Sequence, residues 1–203
     1  MIVIGVTGGV GMGKSTVAKM LARKGAVVLD ADALSHEAME PKKLAWRKIV
    51  KAFGERVLND DQTIRRQQLA AVVFRDAQQR QRLEQILHPQ VLRMMKQQIQ
   101  RLRRSCKVNA VVVDVPLLLE AGGSGLVDAL VVVTARPEVQ RQRLKNAHGW
   151  TDEEIDARMA AQWDVSAKAA LADVVVENSD GVDRTRTQVD RLWNRLVAQH
   201  SSK

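Results

Sequence analysis

The chain has 203 residues, 45% hydrophobic and 27% charged, with a formal net charge of +9, the proportions of a globular protein with room for one sizeable domain. No apolar run reaches the ~18 residues a membrane span requires, no basic segment leads into a long apolar one at the N-terminus, and a single cysteine, Cys106, excludes an internal disulfide or a multi-cysteine metal site. A reducing, cytoplasmic setting is therefore expected, without membrane association; aromatic residues at 3% with no tyrosine argue against a stacking platform for single-stranded nucleic acid.

Taken in order, "MIVIGV" is a β-branched run that reads as a buried strand. A glycine-rich turn follows, then "KSTVAKMLARKG", with Val17, Met20 and Leu21 at helical spacing and Gly25 as a stop. "AVVLDAD" is a second strand, completing a right-handed βαβ unit. Residues 42–53 and 64–74 read as two short helices. From Asp76 to Arg104, Leu83, Leu87, Val91, Met94, Met95, Ile99 and Leu102 recur every three or four positions. Pro89 predicts a break at His88 and a new helix with proline in its first turn. Strands are expected at 109–116, 128–135 and 172–178, and helices from Pro137 to about Asn146 and over 182–199. Thr151 and Glu154 have capping-box spacing. The four tryptophans occupy helical positions and read as packing residues. Apolar strands alternating with helices imply an α/β fold with a five-stranded parallel sheet covered on both faces. The helical stretch between the second and third strands is longer than a crossover needs, and predicts a subdomain that holds something.

The turn itself, "GVTGGVGMGKST", contains Gly8, four residues, then Gly13-Lys14-Ser15. Placed between an apolar strand and an amphipathic helix, this is the P-loop pattern. Gly8, Gly9, Gly11 and Gly13, with Met12 between the last two, let consecutive backbone N–H groups turn inward as an anion nest. The helix start at Lys14, Ser15 and Thr16 adds free N–H groups and the positive end of a dipole. Lys14 then reaches the β- and γ-phosphates of a nucleoside triphosphate, and the Ser15 hydroxyl suits Mg²⁺. Asp30 and Asp32 end the second strand, where an extended segment would put both carboxylates on one side. One of them contacts Mg²⁺ or accepts the proton of an attacking hydroxyl. Asp114 ends the third strand in the manner of a carboxylate that holds Mg²⁺. Arg136, Arg141, Arg143 and Arg158 supply cations. Arg141 and Arg143, two apart on a helix, point differently, so at most one faces the site.

With these residues in view, the chain resembles the dephospho-CoA kinases. The resemblance runs from "GVTGGVGMGKSTVA" to "ADVVVENSDG" through "GAVVLDAD", "RQQLAAVVF", "LEQILHPQV", "VVVDVPLLLEAG" and "RMAAQ". It implies a P-loop kinase fold akin to nucleoside monophosphate kinases, with a core over 1–34, 108–136 and 172–203, a helical acceptor-binding subdomain over 35–107 and a lid over 137–171. It implies transfer of the ATP γ-phosphate, with Mg²⁺, to the ribose 3′-hydroxyl of dephospho-CoA. By the same resemblance Gly11 to Thr16 bind ATP phosphates, and Asp32 faces the acceptor hydroxyl as base. Arg66, His88, Leu118 and Glu120 fall where the family builds its acceptor pocket. The chain departs from the family pattern at Leu119, where phenylalanine is common, and at Arg65, where asparagine is frequent. It carries "KNAHG" where many members have an arginine before the glycine, and "WDVS" after "RMAAQ" in place of a common proline and basic residue. The lid cation falls to Arg143, Lys145 or Arg158. No sequence feature marks an oligomer, and a monomer acting on small molecules is expected. Two other functions share the cradle. One is a P-loop kinase for another nucleotide or nucleoside. The other is a basic nucleic-acid-binding ATPase, which the scatter of basic residues over several helices disfavours. A GTPase switch lacks its N-K-x-D motif.

Overall fold

The computed structural model describes residues 1–115, 118–119 and 122–201. Its strands are β1 (Ile2–Gly8), β2 (Val27–Asp30), β3 (Ala110–Asp114), β4 (Ala129–Thr134) and β5 (Val174–Glu177). They pair in parallel in the order β2-β3-β1-β4-β5. Every residue of β1 is buried, as a central strand covered by helices requires. Each fully buried valine or isoleucine there contributes about 1.5–3 kcal/mol. Helix α1 (Lys14–Arg23) lays Val17, Ala18, Met20 and Leu21 into this core.

The chain divides into two compact units, one of Met1–Asp30 with Ile99–Lys203 and one of Ala31–Gln98. The second unit carries α2 (Ala31–Ala38), α3 (Leu44–Phe53), α4 (Arg66–Arg75) and most of α5 (Ala77–Ser105). Its own core is Ile49, Phe53, Val57, Leu58, Ile64 and Leu69. In the first unit, α6 (Pro137–His148), α7 (Asp152–Ala160) and α8 (Val165–Ala170) lie between β4 and β5 in the chain, and α9 (Val182–Ser201) follows β5. From α9, Val189, Leu192 and Leu196 join the sheet core. Among the described residues no helix is long and apolar enough to cross a membrane.

Three local expectations are corrected. Helix α5 runs unbroken through Pro89. Proline there removes the hydrogen bond to the Gln85 carbonyl, but both residues are exposed, so water can serve that carbonyl on the outer side of the helix. On the other side Val91, Met95 and Ile99 are buried and hold the helical path. Asp30 and Asp32 do not share an extended segment, because β2 stops at Asp30 and α2 starts at Ala31. Asp32 is therefore an exposed residue of a helical first turn. Finally, Trp150 and Trp163 stand outside the helices. Trp150 stacks on His148, with ring centroids 4.2 Å apart and planes 16° from parallel.

Candidate active site

The carboxyl end of β1 feeds directly into the glycine loop and α1, the edge of an open α/β sheet where ligands bind. Gly13 is the N-cap of α1, with φ 91° and ψ 27°, a left-handed conformation open chiefly to glycine. A Cβ there would overlap Asn178 Nδ2, and one at Gly11 would come within 2.7 Å of Leu144 Cγ. Several loop groups are already engaged. Gly9 N–H donates to Met12 Sδ (3.2 Å), Val10 N–H to Gln162 Oε1 (3.1 Å) and Met12 N–H to Gly9 O (3.4 Å). Lys14 is buried, its Nζ donating to Gly8 O (3.2 Å) and Gly9 O (2.9 Å). Among the described residues, the N–H groups of Gly11, Gly13 and Ser15 have no hydrogen-bond acceptor. The loop thus keeps a subset of its donors available for an anion, beside the positive end of α1.

Besides Gln162, two further side chains outside the P-loop pattern hold this loop. Gln140, buried on α6, donates from Nε2 to Val10 O at 2.7 Å. Asn178, buried at the end of β5, donates from Nδ2 to Met12 O at 2.9 Å. Its Oδ1 accepts from the Thr185 hydroxyl at 2.8 Å. Sequence reasoning missed Gln140, Asn178 and Thr185. The available signal was position: Asn178 directly follows an apolar strand, on the edge where ligands gather.

The candidate cations are sorted by their partners. Arg141 pairs with Asp156 and Asp152, Lys145 with Asp152 (2.8 Å), and Arg136 with Asp180 (2.9 Å). Lys145, hydrogen-bonded to it, and Arg141 hold the Asp152 carboxyl below the usual carboxylate range. Arg143, on the same helix as Arg141, turns to the loop. Its Nη1 lies 3.7 Å from the point a Gly13 Cβ would occupy, buried and without a hydrogen-bond partner among the described residues. The Arg158 guanidinium lies 3.8 Å from the centre of the Trp150 ring, a cation–π contact. Thr151 and Glu154 form the capping box of α7, which fixes the start of the helix that carries Arg158.

Asp114 ends β3 and is in register with Val6 of β1 and with Asp30 of β2. The two carboxylates therefore belong to one face of the sheet edge, on neighbouring strands. Leu118 is fully buried, and a Cβ on Gly5 would come 2.7 Å from its Cδ2, so it packs behind β1. In the helical unit, Asp32 is in the first turn of α2 and Arg66, exposed, begins α4. His88 is half-buried on α5. Glu120 lies outside the described residues.

Comparison with known proteins bears directly on this arrangement. The family model described as dephospho-CoA kinase matches residues 2–184. A dephospho-CoA kinase of Anaeromyxobacter dehalogenans is 46% identical over 192 residues, covering 95% of this chain and 90% of the relative. A solved structure from Thermus thermophilus, TT1252, superposes with a TM-score of 0.79 at 33% identity, covering 98% of this chain and 97% of that one. The dephospho-CoA kinase of Campylobacter jejuni, 23% identical with a TM-score of 0.72 over 97% and 98% of the two chains, shares the fold. With a phosphate-binding loop at the head of a β2-β3-β1-β4-β5 parallel sheet and relatives matched along nearly their whole length, the chain is a P-loop kinase and belongs to the dephospho-CoA kinase family.

Proposed function

We propose that this protein transfers the γ-phosphate of ATP to the ribose 3′-hydroxyl of dephospho-CoA, giving coenzyme A and ADP. The observation that carries the phosphate-binding half is the sorted loop, with Gly11, Gly13 and Ser15 N–H groups available while Gly9, Val10 and Met12 are engaged. The family match supports the acceptor. Lys14 exchanges its two loop carbonyls for phosphate oxygens. Arg143, aimed at Gly13, lies over the transferring group as the lid cation, in preference to the paired Arg141 and Lys145. Charge developing on the γ-phosphoryl oxygens is where such cations and N–H groups act most strongly.

Asp32 accepts or orients the proton of the acceptor hydroxyl, and Arg66, His88 and Glu120 contribute to holding dephospho-CoA. The described residues contain no group of three or more His, Cys, Asp or Glu side chains fit for a metal. The donor set instead fits an Mg²⁺ that arrives with ATP. Such an ion takes one or two protein oxygens and fills its other positions with phosphate and water. Ser15 and Asp114 are the residues that would hold it, with Asp30 in register beside Asp114. Held by these residues, the ion would neutralise charge on the triphosphate. The single cysteine supports a cytoplasmic setting. A coupled ADP-release assay with dephospho-CoA, AMP and adenosine tests the assignment. Turnover with dephospho-CoA is expected, and turnover confined to AMP or adenosine would favour the other P-loop kinase reading.

A further inference from the structure

Of the three amide side chains that hold the loop, Gln162 accepts from the Val10 N–H, whereas Gln140 and Asn178 reach carbonyls, and the carbonyls they choose are informative. A trans peptide is planar, so its C=O and the following N–H point in opposite directions. Gln140 holds Val10 O, and the N–H of that same peptide unit belongs to Gly11. Asn178 holds Met12 O, and the N–H of that unit belongs to Gly13. Gly11 and Gly13 are two of the three loop residues whose N–H groups have no acceptor among the described residues. Both have positive φ, 72° and 91°, so neither peptide plane is fixed by ordinary steric limits. An external hydrogen bond is what selects one orientation for each.

We propose that Gln140 and Asn178 are positioning residues for ATP, setting the two peptide planes that aim the Gly11 and Gly13 N–H groups at its phosphates. The inference rests on the ATP-binding function proposed above. Asn178 cannot do this with its amide reversed, since a carbonyl oxygen would then face Met12 O. Thr185, itself fully buried, has one hydroxyl proton and two acceptors in reach, Asn178 Oδ1 at 2.8 Å and Gly181 O at 3.1 Å, and the shorter bond favours the amide orientation that points Nδ2 at Met12 O. Gln140 is 2% exposed, and both amides reach the loop from more than a hundred residues away. Neither needs to touch the nucleotide.

The test compares wild type with Gln140→Met, Asn178→Asp, Thr185→Val and Thr185→Ser, reading ATP affinity by calorimetry and the amide NMR signals of Gly11 and Gly13. Thermal melts identify any variant that fails to fold, and the two sites are tested independently. One lost or reversed hydrogen bond of this kind is expected to weaken ATP binding about tenfold. The KM for dephospho-CoA is expected to stay within about twofold, because these residues act on the phosphate loop alone. Thr185→Val follows Asn178→Asp in direction, and Thr185→Ser, which keeps the hydroxyl, retains wild-type affinity. The Gly11 and Gly13 signals shift on ATP addition in wild type; the Gly11 signal shifts less in Gln140→Met, and the Gly13 signal less in Asn178→Asp and Thr185→Val. Equal ATP affinity in folded wild type, Gln140→Met and Asn178→Asp would overturn the inference alone. A wild-type protein that takes up no ATP would overturn the proposed function, and this inference with it.

Discussion

Lys14 and Gly13 carry the sharpest consequences at the scale of single residues. Replacing Lys14 with methionine keeps the apolar stem and removes the charge that follows the phosphoryl group. The turnover number is expected to fall about 10²–10³-fold, measured by ADP release at saturating ATP, while a near-normal rate would remove Lys14 from the chemistry. Gly13→Ala acts on the fold as well as the site. The left-handed φ of 91° disfavours a side chain by about 1–3 kcal/mol, and the new methyl meets Asn178. Urea denaturation should show a midpoint below wild type, and an unchanged midpoint would contradict the assigned conformation. The glycines and Lys14 were legible in the sequence because a phosphate nest demands those residue types at that spacing. Gln140 and Asn178 were not. An amide side chain has no characteristic spacing, and the groups it holds lie 130 and 166 residues away.

Among the elements, the strands were legible from their β-branched runs, although β1 extends two residues past the stretch that announced it and β2 to β5 each end a residue or two short of theirs. Helix α5 was misread as two because proline's local cost was weighed without the buried stripe of Val91, Met95 and Ile99 that overrides it. Pro89→Ala restores a hydrogen-bond donor to the Gln85 carbonyl, and the helix should gain up to about 3 kcal/mol. A higher urea midpoint with unchanged helical circular dichroism is the expected result. A second element-level effect concerns α6 and α7, joined through Lys145, Arg141 and Asp152. The folded-state pKa of Asp152 is depressed, first by the Lys145 hydrogen bond. Its contribution is therefore complete above the ordinary carboxylate pKa near 4 and is lost as the pH falls through the lowered folded value. The protection of α7 amides relative to their intrinsic exchange rates is expected to fall across that acid window in wild type. In Asp152→Asn this protection should be low already and flat with pH, and identical profiles would contradict the pairing.

For the molecule as a whole, under the proposed function the net charge of +9 raises the local concentration of polyphosphate substrates. Raising ionic strength from about 0.05 to 0.3 M should raise the KM for ATP severalfold by screening this field, with little change in turnover number. A KM insensitive to salt would assign the charge to the solvated outer faces of helices alone. The helical stretch between β2 and β3 is longer than a crossover needs, and Ala31–Gln98 forms a compact unit of its own. The acceptor pocket rests on resemblance and not on pattern, because Asp32, Arg66 and His88 have no spacing that ties them together.

Under the proposed function, a loop with preset N–H donors binds ATP and passes its γ-phosphate to dephospho-CoA. Phosphorus NMR of the protein with MgATP and dephospho-CoA follows that transfer itself. ADP and a new phosphomonoester on the ribose 3′ oxygen are expected in equal amounts. ADP appearing with AMP or adenosine, but not with dephospho-CoA, would contradict it.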